Sequence, residues 1–312
     1  MSNIFATRLG EHVEAYIALR RSLGYSFNKQ AATLRKLVRY VDAVQPEGPL
    51  CRRIVFDFIF SGPGTANGRE VRYGVVRRFS EYLSIFDPGT ELLDPKALPR
   101  NRAIPPPRIL TDDELVQLMA ACSRVSPDYP ERGKVLAPLI GLLASTGLRS
   151  GEALRLDRGD VDLTTGVLHI RRTKFRKDRL VPVHSSTLAV LYDYARHRDA
   201  TFPERKTPAF FISSRGTRLS PTGLQAAFKA ATSLANLGQN GKRLRPHDLR
   251  HRFAVKRLAI WHQERADVQA VLPLLATYLG HARYTDTAYY VTAGADLLAM
   301  AAERMLDLGE PA

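Results

Sequence analysis

Four short segments carry side chains whose types and spacing could act on a phosphate ester. The first is Thr146-Gly-Leu-Arg149-Ser-Gly-Glu152, where an arginine follows a glycine that can end a buried helix, and Glu152, one turn on, can hold its guanidinium. Taken alone, the pair reads more simply as a surface ion pair worth ~0.5 kcal/mol. The second is Lys174, within the basic turn Thr173-Lys-Phe-Arg-Lys-Asp178, which in isolation reads as a solvated tip. The third is His247-Asp-Leu-Arg250-His251, directly after Pro246. Residues three apart share a helix face, so an imidazole and a guanidinium would stand side by side, a pairing suited to a phosphate. The fourth is Leu279-Gly-His281, followed by the tyrosine pair Tyr289 and Tyr290. Core packing explains at least one of those tyrosines.

The chemistry open to such a set is coherent. A phosphodiester under attack gathers negative charge on its non-bridging oxygens, and two permanently charged guanidiniums can clamp them in the role a metal otherwise takes. A phenol, with a pKa of about 10, becomes a nucleophile if a neighbouring histidine takes its proton or nearby cations lower its pKa. A lysine can protonate the departing oxygen.

These residues need a scaffold, and the sequence outlines one. Apolar positions at helical spacing mark four helices before residue 93: Leu9, Val13, Tyr16 and Leu19 or Arg20; Leu34, Leu37, Val38, Val41 and Val44; Ile54, Phe58 and Ile59; Val71, Val75, Phe79, Leu83 and Phe86. The fourth also carries Arg69, Arg72, Arg77 and Arg78, a basic face that suits DNA and equally suits an ordinary bundle. The stretch 94–108, DPKALPRNRAIPPPR, is proline-rich and extended, and reads as a linker.

Beyond the linker, Thr111-Asp-Asp-Glu114 is a capping box that opens a helix. An apolar helix from Val135 to Thr146 stops at Gly147, and Ser150 is placed to cap the next. Period-two alternation over 167–172, the basic turn, and Leu180 to Val183 predict a β-hairpin. Helices follow over 186–198, 220–235 with Pro221 in the first turn, 247–261, 272–279 and about 296–306. The expected class is mainly α with a small antiparallel β-sheet in the second domain, that is, α+β.

Bulk properties bound the function. The 312 residues hold 46 Lys and Arg against 31 Asp and Glu, a net charge of +15, so a polyanionic partner is expected. The longest apolar run, Val135 to Leu148, is too short to span a bilayer, and the first residues lack a signal-peptide core, so no membrane role is expected. The two cysteines, Cys51 and Cys122, stand far apart without metal-ligand spacing, so neither a disulfide nor a zinc site is expected and a reducing compartment is. No carboxylate cluster suits magnesium, and no cofactor is expected.

In the order Arg, Lys, His-x-x-Arg, His, Tyr, the four segments resemble the tyrosine recombinase, or phage integrase, family, with most similarity to its Xer-like chromosome-dimer-resolving and transposon-borne bacterial members. The resemblance covers roughly Pro95 to Leu306 and is weaker over residues 1–93. It implies a helical, SAM-like core-binding domain over residues 1–93, a linker over 94–108 and a catalytic domain with a C-terminal tail over 109–312. It implies Arg149, Lys174, His247, Arg250, His281 and Tyr290 as catalytic residues, with Tyr290 the nucleophile and Glu152 in support. Lys177 competes with Lys174, and Tyr289 with Tyr290; motif spacing favours Lys174 and Tyr290. The implied activity is site-specific cleavage and rejoining of DNA through a 3′-phosphotyrosyl intermediate, without metal or ATP. The implied partner is double-stranded DNA carrying recombination sites, bound by a homo-tetramer or a mixed tetramer with related recombinases, in the cytoplasm at the nucleoid. The chain after Tyr290 is long enough to dock on a neighbouring protomer. The alternatives are a topoisomerase-like nicking and closing enzyme of type IB, against which the short helical N-terminal domain argues, and an inactive DNA-binding accessory factor, against which the complete residue set argues.

Overall fold

The computed structural model describes residues 4–44, 48–98, 108–171, 178–204, 206–238, 244–281, 287 and 290. Lys174, Lys177, Tyr289, most of the expected linker and the expected helix near 296–306 lie outside them. The chain divides into two compact units, Met1–Pro105 and Pro106–Ala312.

The first unit holds α1 (Ile4–Ser22), α2 (Asn28–Val44), α3 (Arg52–Phe60) and α4 (Ala66–Leu83). Leu9, Val13, Ile17, Leu34, Leu37, Val41, Val55, Ile59 and Phe79 close its core. Thr65 caps α4 by accepting the Gly68 amide at 3.2 Å. Three expected helix faces are partly corrected. Val71 and Phe86 stay exposed, and the α4 core face runs through Tyr73, Val76, Phe79 and Leu83 instead. Val44 and Leu19 are likewise exposed at helix ends, where the bundle no longer covers the stripe. Residues 94–98 pack onto this unit: Ala97 and Leu98 lie against its core, and the Tyr73 hydroxyl donates to the Asp94 carbonyl at 2.8 Å.

In the second unit, α5 (Asp112–Cys122) opens with the expected box: the Thr111 hydroxyl accepts the Glu114 amide at 3.1 Å, and Glu114 accepts the Thr111 amide at 3.0 Å. Helix α6 (Glu131–Thr146) is the central element and packs against α5, α7, α8, α9 and α10. Almost every apolar residue along it is buried, which explains its continuous apolar run. After α7 (Ser150–Arg155) come a 3-10 turn at Arg158–Asp160 and a three-stranded antiparallel sheet in the order β1 (Val161–Asp162), β2 (Val167–Ile170) and β3 (Arg179–Pro182). The β2–β3 register pairs Ile170 with Arg179 and Leu168 with Val181. Helices α8 (Ser185–Thr201), α9 (Pro221–Leu234), α10 (Pro246–Gln263) and α11 (Val268–Leu279) complete the described unit. Helix α11 begins a turn before the expected Leu272 because Asp267 caps it, accepting the Gln269 amide at 2.9 Å. Among the described residues, no helix is long and apolar enough to cross a membrane.

Two helices end on left-handed glycines, Gly147 after α6 at φ 63° and Gly280 after α11 at φ 67°. At Gly147 the constraint is double. A non-glycine residue is strained there, and an added Cβ would fall 2.5 Å from Phe253 Cδ1 and 3.0 Å from Leu279 Cδ2. Gly147→Ala should therefore destabilise the protein by at least about 2 kcal/mol in urea unfolding. A loss within experimental scatter would mean that the α6 terminus relaxes freely.

Candidate active site

The site is assembled from three chain segments that meet where α6 and α11 end. Arg149 sits between α6 and α7. Its backbone amide donates to Glu152 Oε2 at 3.1 Å, its Nη1 to Glu152 Oε1 at 3.0 Å, and its Nη2 to the Gly280 carbonyl at 3.2 Å. Ser150 was expected to cap α7. Instead Arg149 is the capping residue and Ser150 the first helical one, because the Glu152 carboxylate reaches back to the Arg149 amide. Nor is Glu152 half of a surface pair: its side chain is only 2% exposed.

Arg250 comes from the first turns of α10, whose opening fits Pro246, since proline has no amide to lose there. It is 1% exposed. Its Nη1 donates to the Gly147 carbonyl at 2.7 Å and its Nη2 to the Leu279 carbonyl at 2.8 Å. Each carbonyl lies at a helix C-terminus, where carbonyls lack helical partners and carry partial negative charge. Burial, then the Arg149 charge, pull the Arg250 pKa down to about 10, with Tyr290 and Glu152 acting in the opposite direction. Arg250 therefore stays cationic at neutral pH.

Two histidines border the second tyrosine of the pair, and a third packs on one of them. His281 Nδ1 lies 2.6 Å from the Thr287 hydroxyl, and its ring stacks with Tyr290 at 6.1 Å between centroids. His251 meets Tyr290 at 5.5 Å and His247 edge-on at 4.7 Å. Burial first, then the His251 and Arg250 charges, lower the His247 pKa to about 4. His247 is thus neutral, and able to accept a proton, at physiological pH. Tyr290 is 3% exposed and packs with Leu279, Leu275 and Leu258.

Of the expected residues, Arg149, Glu152, His247, Arg250, His281 and Tyr290 are therefore brought together, while Lys174 lies outside the described residues. Two neighbours were not singled out from sequence. His251 adjoins the His-x-x-Arg motif and touches Tyr290, and its Nδ1 is buried without a hydrogen-bond partner among the described residues. Arg179, at the start of β3, donates Nη2 to Glu152 Oε2 at 2.9 Å, Nη1 to Oε1 at 3.2 Å and Nε to the Tyr278 carbonyl at 2.9 Å. Among the described residues, no three of His, Cys, Asp and Glu gather as a metal site would require.

Residues 108–295, which hold this whole constellation, match the phage integrase family. The chain belongs to that family. A Sinorhizobium fredii protein named integrase/recombinase y4rE is 63% identical over 300 residues, covering 96% of each chain. In fold, the recombinase resembles the XerH site-specific recombinase bound to palindromic difH substrate (TM-score 0.63, 20% identity, 88% of this chain and 78% of that one). It also resembles a lambda integrase tetramer bound to a Holliday junction (TM-score 0.60, 17% identity, 89% of this chain and 78% of that one). The expected mainly helical fold with a small antiparallel sheet, and the expected family of tyrosine site-specific recombinases, both hold.

Glu152 gives this site a measurable signature. Burial raises its pKa, but the Arg179 hydrogen bond and charge, aided by Arg149, outweigh that and hold it below the usual 4.5. A depressed carboxylate pKa contributes stability above the unfolded value and loses it as pH falls through the folded one. Glu152→Ala should cost ~3 kcal/mol at neutral pH, because it leaves facing guanidiniums uncompensated. The gap to wild type should narrow as pH drops below 4.5, and a gap independent of pH in denaturant titrations would contradict the assignment.

Proposed function

We propose that this recombinase cuts and rejoins DNA at specific sites through a 3′-phosphotyrosyl intermediate on Tyr290, with neither metal nor ATP. The observation that carries the reading is the meeting of two guanidiniums, Arg149 and Arg250, with His247, His281 and a buried tyrosine at the ends of α6 and α11. Arg250, held on two carbonyls, and Arg149, 29% exposed in its side chain, stabilise the charge that builds on the non-bridging oxygens. The Tyr290 oxygen attacks phosphorus, and its proton passes to neutral His247 or is released as the arginines lower its pKa. The bond from phosphorus to the 5′ oxygen breaks, and Lys174 protonates that oxygen. The phosphotyrosyl ester conserves the bond energy, so attack by another 5′ hydroxyl reseals the strand without a nucleotide cofactor.

Unit Met1–Pro105, with its basic α4, serves as the core-binding domain, and the net charge of +15 supports a phosphate-based grip. Recombination requires two sites, so the working form is a tetramer of this chain, alone or mixed with related recombinases. The lambda integrase tetramer on a Holliday junction is the precedent of like fold. The expected setting is the bacterial cytoplasm, at the nucleoid.

A nicked suicide substrate tests the reading. In excess chelator, wild type and Tyr289→Phe should accumulate a covalent protein–DNA adduct, while Tyr290→Phe should bind the same DNA and form none. Adduct formation by Tyr290→Phe, or cleavage that returns only on adding magnesium, would overturn it.

A further inference from the structure

Arg179 belongs to none of the expected catalytic positions, yet all three nitrogens of its guanidinium donate hydrogen bonds within the pocket. We propose that Arg179 is a positioning residue: by sharing the Glu152 carboxylate, it keeps the Arg149 guanidinium available to the scissile phosphate. The proposal rests on the reading of Arg149 as a phosphate clamp.

Glu152 is buried and desolvated, and a buried charge must be paired. Among the described residues two cations reach it, and they are not equivalent. Arg179 approaches as a fork, with Nη1 and Nη2 on the two oxygens, which is the strongest geometry open to a guanidinium and a carboxylate. Arg149 reaches Glu152 through one side-chain nitrogen only, at 3.0 Å, and gives its other terminal nitrogen to the Gly280 carbonyl.

Exposure follows the same division. The Arg179 side chain is 12% exposed and the Arg149 side chain 29%. Arg179 directs donors from all three of its guanidinium nitrogens at protein acceptors, the third being the Tyr278 carbonyl. Arg149 is the guanidinium left facing solvent. Gly280 makes the arrangement possible, since a Cβ there would fall 2.8 Å from Arg179 Nη1.

Charge bookkeeping then gives Arg179 its effect. With it present, one carboxylate is divided between two cations, and Arg149 retains charge for an incoming anion. Without it, the buried carboxylate has Arg149 as its nearest partner and draws that guanidinium into a closed pair. A merely structural arginine would act through stability. This one acts through the charge balance at Glu152, so its loss is corrected by discharging Glu152. Glu152→Gln removes the charge while keeping an oxygen to accept the Arg149 amide.

The experiment measures the rate of covalent adduct formation at saturating DNA for Arg179→Met, Arg179→Lys, Glu152→Gln and Arg179→Met/Glu152→Gln, with thermal unfolding of each. Arg179→Met should cleave about tenfold to a hundredfold more slowly. Arg179→Lys, which keeps the charge but loses the fork, should fall between it and wild type. Adding Glu152→Gln to Arg179→Met should raise the rate about tenfold, whereas Glu152→Gln alone should not raise it. A substrate with sulfur at the bridging 5′ position, whose leaving group needs no proton, should leave the Arg179→Met defect in place.

Rescue by sulfur would overturn the proposal, because Arg179 would then act through the lysine of its own hairpin. A double variant no faster than Arg179→Met would overturn it too, as would an Arg179→Met rate equal to wild type. If Arg179→Met does not fold, Arg179→Lys with and without Glu152→Gln carries the same comparison. Absence of any Tyr290-dependent adduct in the wild type would instead mark failure of the underlying function.

Discussion

The structure of this site depends on one buried carboxylate. Arg149, Arg179 and Arg250 crowd the region where α6, β3 and α11 meet, and like charges at such distances in a poorly hydrated place repel strongly. Glu152 is the anion that lets them coexist. It pairs with two of them, opposes the depression of the third and fixes the start of α7 by holding the Arg149 amide. A pocket with an excess of fixed positive charge is what an anionic transition state requires, and the carboxylate lets it fold before DNA arrives.

Helix ends supply the rest of the frame. A guanidinium needs planar acceptors, and Arg250 finds them in the carbonyls of Gly147 and Leu279. Both belong to helix termini that turn through left-handed glycine. The two turns therefore stop α6 and α11 and also aim backbone dipoles at the cation between them. His281 follows immediately after the second turn, and Tyr290 stacks on it and shares an apolar cluster with Leu279. The candidate nucleophile is thus tied to the same helix end that anchors Arg250.

Much of this was legible in the sequence because the relevant signals are local. Gly147 and Gly280 announce helix ends, Pro246 announces a helix start, and the Thr111 box has a fixed spacing. The motif order Arg149, His247, Arg250, His281, Tyr290 marked residues that the fold brings together. What escaped depended on contacts between distant segments. Arg179 sits in a basic run among Arg176, Lys177 and Asp178, and nothing in its own neighbourhood distinguishes it from a solvated cation. Its partner Glu152 lies 27 residues away. Glu152 itself resembled half of a surface pair, since burial by a later strand and helix leaves no mark on Arg149-Ser-Gly-Glu152. Ser150 lost the capping role to a carboxylate that sequence rules place at the third helical position and not at the cap. Val71 fitted the apolar spacing of α4 but is exposed, because the bundle buries a narrower stripe than the residues offer, and Phe86 lies beyond the end of α4 at Leu83, where its ring meets His12 and Tyr82.

The central claim is that the basic pocket exists to present one phosphate to Tyr290. Mass spectrometry of the trapped covalent complex, after exhaustive nuclease and protease digestion, tests it most directly. The account predicts a single modified peptide carrying a nucleotide joined through its 3′ phosphate to the oxygen of Tyr290. A nucleotide on any other residue, or one joined through its 5′ phosphate, would contradict it.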